Sequence, residues 1–165
     1  MDRSVVIRKL YQPGDLGWVV MTHGETYAKE YGWTAEFEQL VARIIGEYAA
    51  GRDSAREAAW IAEVDGDRAG CIGCFAGEQP DLAVLRVLLV QPHARGLGVG
   101  ARLVEECVGF ARLVGYRRMT LWTVGMLSSA RRLYQAAGFR LIDERPEHRF
   151  GHDVVGQNWE LDLDG

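Results

Sequence analysis

The apolar positions of this chain switch repeatedly between an alternating period and a helical one, and the switches predict its elements. "SVVIRKL" (4–10) predicts a first short strand, and residues 13–33 a mixed segment carrying one helix that ends near Gly32. The clearest helical stripe is Phe37, Leu40, Val41, Ile44, Ile45 and Tyr48, with Thr34 placed as N-cap and Gly51 as stop. "AAWIAEV" and "RAGCIGCFAG" flank Asp65-Gly66, which predicts a hairpin. "LAVLRVLLV" (82–90) is a long apolar strand holding one charge, Arg86. A helix follows through about Leu113, with Val99, Leu103, Cys107, Phe110 and Val114 inward and Glu105, Glu106 and Arg112 outward.

"YRRMTLWTV" predicts another strand, and "SSARRLYQAAG" a short helix capped by Ser128 or Ser129 and closed by Gly138. "FRLIDE" and "GQNWELDL" predict the last strands, with "RPEHRFGHDVV" (145–155) as a polar loop between them. Hairpin connections imply mostly antiparallel pairing, while the helix between "LLV" and "MTLW" implies one parallel crossover. The fold class expected is α/β (α+β), as one domain over residues 1–165.

Composition narrows the function classes. A chain of 165 residues can bury one sizeable core. Its net charge of −4 leaves no basic footprint for nucleic acid. No apolar run spans a bilayer, and "MDRSVVIRKL" lacks a leader pattern, so a cytoplasmic protein without a membrane partner is expected. The odd set Cys71, Cys74 and Cys107 then reads as free thiols. "CIGC" sits in a strand, where residues three apart face opposite sides, and no second pair or nearby His completes a zinc set. No metal is expected, and His148 and His152 also lack an evident third ligand.

One stretch, "LLVQPHARGLGVGARLVEE", runs from an apolar strand through Arg95, Gly96, Gly98 and Gly100 into a helix. A glycine-rich strand-to-helix turn presents backbone N–H groups and the positive helix end to an anion. A P-loop would need Gly-Lys-Ser/Thr, and the residues are Gly100, Ala101 and Arg102. A dinucleotide fold would place its turn at the first strand of a βαβ series, not inside a hairpin-rich chain.

"VQPHARGLGVGARLV" resembles the acyl-coenzyme A signature of the GNAT (Gcn5-related N-acetyltransferase) superfamily, with Arg95, Gly98 and Gly100 at its fixed positions. "ARRLYQAAGF" resembles the family's second motif through Ala130, Leu133, Tyr134, Gly138 and Phe139. Leu127 stands where many relatives carry a coenzyme-contacting Asn. The tail and "HGETYAKEYGW" are similar to GNAT domains fused to winged-helix regulators of the multiple-antibiotic-resistance type.

The resemblance implies a mixed, mostly antiparallel sheet of six to seven strands with about four helices. It also implies transfer of acetyl from acetyl-CoA to a primary amine of a small molecule or amino acid. The coenzyme would lie along Leu88, Leu89 and Val90, with its pyrophosphate over Arg95, Gly96, Leu97, Gly98, Val99 and Gly100. The Val90 N–H would polarise the thioester carbonyl, and Tyr134 would be the general acid. His23 and Glu25, with Glu63 as a lesser choice, are candidate bases.

Arg86 shares a face with Leu88 and Val90 if the strand alternates regularly. It could clamp an acceptor carboxylate or pair with Glu63. Tyr31, with Tyr27 and Trp33, could wall the acceptor site, and His152 and His148 could touch the acceptor. Arg131 and Arg132 lie near the expected coenzyme end. The acidic net charge favours cationic amines. Dimers are common in the family, so a homodimer is a further expectation. The alternative function is a non-catalytic acetyl-CoA-binding sensor.

Overall fold

A computed structural model describes residues 3–51 and 55–164. Its strands are β1 (Val5–Lys9), β2 (Ala58–Val64), β3 (Asp67–Ala76), β4 (Leu82–Val90), β5 (Arg118–Val124), β6 (Arg140–Arg149) and β7 (His152–Asp162). Its α-helices are α1 (Asp15–Tyr31), α2 (Ala35–Ala49), α3 (Val99–Val114) and α4 (Ser128–Ala136). The strands form one sheet in the order β1-β2-β3-β4-β5-β7-β6, parallel only between β4 and β5. This is the mixed sheet with four helices that the sequence predicts.

Strand alternation sorts the apolar side chains onto two layers. Trp60, Ile72, Cys74 and Leu85 pack with Leu103, Cys107 and Ala111 of α3. Ile61, Cys71 and Leu89 pack on the opposite face with Val19, Val41 and Ile45 of α1 and α2. Cys71 and Cys74 thus face opposite ways, and all three cysteines are buried free thiols. Burial pushes the Cys71 thiol up, away from reactivity.

Asp15, fully buried, ties α1 to the sheet. It accepts from Arg8 at 2.8 Å, from Arg68 at 2.8 Å and from the Tyr11 and Gln12 N–H groups at 3.0 and 2.9 Å. Those donors favour the carboxylate and hold its pKa well below the usual range, although burial alone would raise it. Glu63 is committed to the same cluster, accepting from Arg8 at 2.8 Å. It is therefore neither a free base nor the partner of Arg86.

Two local expectations change. Residues 145–155 are not a loop: β6 and β7 pair along their length and turn at Phe150-Gly151, with φ 57° and 82°. Asp65-Gly66 makes the same kind of turn, with φ 52° and 88°. The second hairpin is hidden in the sequence because β6 is an edge strand, exposed and polar, and because Phe rarely adopts positive φ. Here Phe150 is held by burial against Trp33 and Phe37, at centroid distances of 4.8 and 5.0 Å. The N-cap of α4 is Leu127, and no side chain caps the helix. The serines fall inside it.

The decisive irregularity lies in β4. Its register against β3 slips between Leu89↔Cys71 and Arg86↔Gly73, and Val87 takes φ 56°. This is a bulge, one extra residue inserted into the strand. Before it Ala83 and Leu85 face α3; after it Leu88 and Val90 do. Arg86 therefore does not share a face with Leu88 and Val90 as regular alternation predicts. It faces the α1–α2 side with Val87.

Candidate functional site

β4 and β5 pair only over Leu82–Val84 and Arg118–Thr120. Beyond that the strands part, since the bulge bends one of them away. The edge from Leu85 to Val90 is left unpaired on its β5 side. Gln91 N–H donates to Ala69 O at 2.8 Å, so Val90, one residue earlier, turns its N–H and C=O toward the split.

Two cavities open along this split, and Tyr27, Leu88, Leu127 and Ala130 border both. The smaller, about 340 Å³, is floored by Leu88, Leu89 and Val90 and reaches Arg95, Gly96, Gly98, Val99 and Gly100. Most of the predicted coenzyme set meets here. Leu97 is not part of the lining. Gly96 and Gly98 have φ 86° and 77°, which L side chains rarely adopt. A Cβ on either would meet open space, so conformation rather than clearance requires these two glycines.

Gly100 differs. Its Cβ would stand 2.6 Å from Leu133 Cδ1, so this glycine lets α3 approach α4. Helical bonding in α3 begins with Arg102 N–H donating to Gly98 O at 3.1 Å. The N–H groups of Val99, Gly100 and Ala101 therefore have no carbonyl one turn back and point out of the helix end. Arg95, half-exposed, is paired with Glu30 at 2.8 Å beside this turn. Ser128, Ser129 and Arg132 of α4 complete the wall, whereas Arg131 is not part of it.

The larger cavity, about 670 Å³, lies on the α1–α2 side. Trp33, Phe37 and Trp122 give it aromatic walls, and Arg86 and Arg149 bring charge. Tyr134 lines it, 5% exposed and packed edge-on against Phe139 at 5.8 Å. Burial raises its pKa, so the side chain stays a phenol throughout the neutral range.

His23 also lines this cavity, 2% exposed. Its Nδ1–H donates to Val19 O at 2.8 Å, which fixes the tautomer and leaves Nε2 a bare acceptor without a protein partner. Desolvation pushes its pKa down to about 4, so the ring is neutral. Trp33 Nε1–H, also buried on this cavity, is a donor without a protein partner.

The remaining candidates lie elsewhere. Glu25, two residues along α1 from His23, is turned to the other face of the helix, is exposed and lines neither cavity. Tyr31 lines the smaller cavity rather than the larger one, its ring tilted against Tyr27 and Trp33 at 5.6 Å from each. His152 Nε2–H donates to Gly32 O at 2.9 Å, which docks the β6–β7 turn onto the end of α1. His148 is exposed and pairs with Asp153 at 2.9 Å. Among the described residues no cluster of His, Cys, Asp and Glu could hold a metal, and no helix is long and apolar enough to cross a membrane.

Sequence reasoning missed Arg149. It lies in the polar stretch 145–155, and nothing near it in sequence marks it as cavity-lining. Its guanidinium stacks on Trp122 at 4.9 Å and Phe150 at 5.0 Å.

The family model for the acetyltransferase (GNAT) family matches residues 22–139. An uncharacterized N-acetyltransferase of Escherichia coli, YjgM, is 31% identical over 69% of this chain and 70% of its own length. The N-acetylaspartate synthetase of Danio rerio is 29% identical over 54% of this chain. The chain spans 32% of that relative's length and about half of two others, at 48% and 53%. Among solved structures, yncA of Salmonella typhimurium, a putative acetyltransferase with its cofactor acetyl-CoA, superposes with a TM-score of 0.79 at 17% identity. That match covers 97% of this chain and 94% of the other. These likenesses extend to the GNAT domain, and the narrower likeness to winged-helix fusions rests on the sequence motifs alone.

Proposed function

The chain belongs to the acetyltransferase (GNAT) family, and on that premise we propose that it moves an acetyl group from acetyl-CoA to the primary amine of an amino acid. The observation that carries this reading is the split itself. An unpaired strand edge runs from a glycine-rich helix start into a second cavity that holds an arginine.

The residues present fit the coenzyme. The free N–H groups at the start of α3 suit a pyrophosphate, with Arg95 adding positive charge. The exposed edge at Leu88 to Val90 suits the amide groups of the pantetheine arm, which would add to the sheet as a strand does. Leu127 supplies no side-chain hydrogen bond where relatives often have Asn, so backbone groups carry that end.

In the reaction the amine nitrogen bonds to the thioester carbonyl carbon and the carbon–sulfur bond breaks. Val90 N–H supports the charge that builds on the carbonyl oxygen, acting as a single oxyanion donor. Tyr134 donates its proton to the departing sulfur and is restored from solvent. The amine gives up one proton. His23 closes one wall of the cavity with its Nε2 shielded from solvent. With its pKa near 4, His23 carries little proton at neutral pH, so the amine proton leaves through the open cavity. Arg86, freed from Glu63 and turned to the acceptor side by the bulge, binds the acceptor carboxylate.

The zebrafish relative is named for making N-acetylaspartate, which is in keeping with an amino acid acceptor. A sensor that only binds acetyl-CoA would need the glycine turn but not a buried phenol at a second cavity. The test is thiol release from acetyl-CoA against a panel of amino acids and polyamines. Release with amino acids is expected. Coenzyme binding without release on any amine would replace this reading with the sensor.

A further inference from the structure

The acceptor cavity holds more positive charge than one carboxylate requires. Arg86 stands on β4 at one side of the split, and Arg149 stands over Trp122 of β5 at the other. Neither guanidinium forms an ion pair with a carboxylate among the described residues. The one acidic residue of the lining, Glu78, is exposed on the loop between β3 and β4. Arg86 is exposed and Arg149 half-buried, so solvent hydrates both guanidinium groups and leaves them open to an anionic ligand.

Two neutral groups of the lining are uncommitted as well. Trp33 Nε1–H is a donor without a partner, and His23 Nε2 is an acceptor without one. The charged donors of the lining are therefore Arg86 and Arg149, while His23 Nε2 and Trp33 Nε1 are closed off from solvent. That pair of cations matches a ligand with two anionic groups. It does not match a polyamine or an aminoglycoside, although the whole-chain charge of −4 favours cationic ligands.

We propose that the acceptor is an amino acid whose side chain carries a second anionic group, and that Arg149 is the specificity residue that binds it. This rests on the acetyl-transfer reading above. Arg86 takes the carboxylate next to the amine, and Arg149 takes the second anion from the far wall. Stacking on Trp122 and Phe150 holds the Arg149 guanidinium in place before the ligand arrives, which lowers the ordering cost of binding.

The test compares acidic amino acids with their neutral amides, as glutamate with glutamine and aspartate with asparagine, in the wild-type enzyme and in Arg149→Gln and Arg149→Lys. The wild type is expected to favour the acid by about tenfold or more in kcat/KM, the discrimination one charged hydrogen bond supports. Arg149→Gln is expected to bring the two members within about threefold of each other, and Arg149→Lys to keep part of the gap. Acetyl-CoA affinity, measured for each variant, reports whether the fold is intact. Wild-type activity without preference for the acid overturns this inference and leaves amino acid acetylation standing. A preference that survives Arg149→Gln in a folded protein overturns it as well. Absence of acetylation with any amino acid overturns both readings.

Discussion

The two cavities share a border but are built on opposite plans. The coenzyme-side cavity is made of backbone: an unpaired strand edge, three glycines and the open end of α3. The acceptor-side cavity is made of side chains drawn from α1, α2, α4 and five strands, among them two arginines, a histidine and an indole. A backbone site depends on local chain geometry and tolerates variation in the side chains around it. A side-chain site depends on which residues distant segments bring together, so it can change specificity without changing the fold.

Tyr134, near where the two meet, gives the largest expected effect. Tyr134→Phe should lower kcat by about 100-fold or more, since it removes the proton donor to sulfur. Acetyl-CoA affinity, measured by calorimetry, should stay within about twofold. Equal loss of binding and turnover would make Tyr134 a packing residue of the shared border.

A backbone lesion should separate the cavities more cleanly. Gly98→Val forces a β-branched residue to φ 77°, at a cost on the order of 1–3 kcal/mol. Acetyl-CoA affinity should fall by about tenfold to 100-fold, with a lowered melting temperature. In what activity remains, the ranking of amino acid acceptors should not change. A changed ranking would mean that the glycine turn also shapes the acceptor side.

The smallest effect concerns the acceptor side alone and is read as stability against pH. His23 has a folded-state pKa pushed below its ordinary value, to about 4. The stability of the neutral buried ring is therefore fully present above pH 6.5 and is lost as pH falls toward 4. This amounts to about 2 kcal/mol between pH 7 and pH 5. Denaturant melts of wild type and His23→Phe over that window should show a shallower acid slope in the variant. Parallel slopes would show that the ring is not held neutral by burial.

Much of this architecture is legible along the chain. The hairpin at Asp65-Gly66, the strand at 82–90 and the helices starting after Thr34 and Gly98 each combine a periodic stripe with a local turn or cap signal. The β6–β7 hairpin is not, because an edge strand buries no clean stripe and its turn uses Phe150, which only packing against Trp33 and Phe37 holds at positive φ. His152 falls with it: as a loop histidine it suggests ligand contact, and as a hairpin residue it docks on the Gly32 carbonyl.

The sequence by itself determined the order of elements, the crossover between β4 and β5 and the glycine-rich start of α3, because these depend on contacts close along the chain. Only the tertiary structure decided how Arg86 faces, since one bulged residue at Val87 reverses the alternation that fixes every side chain beyond it. It also decided that Glu63 is held by Arg8, that Glu25 points away from the cavities, and that Arg149 joins the acceptor cavity from more than sixty residues beyond Arg86. A strand slip and a long-range approach leave no periodic trace in the residues that undergo them.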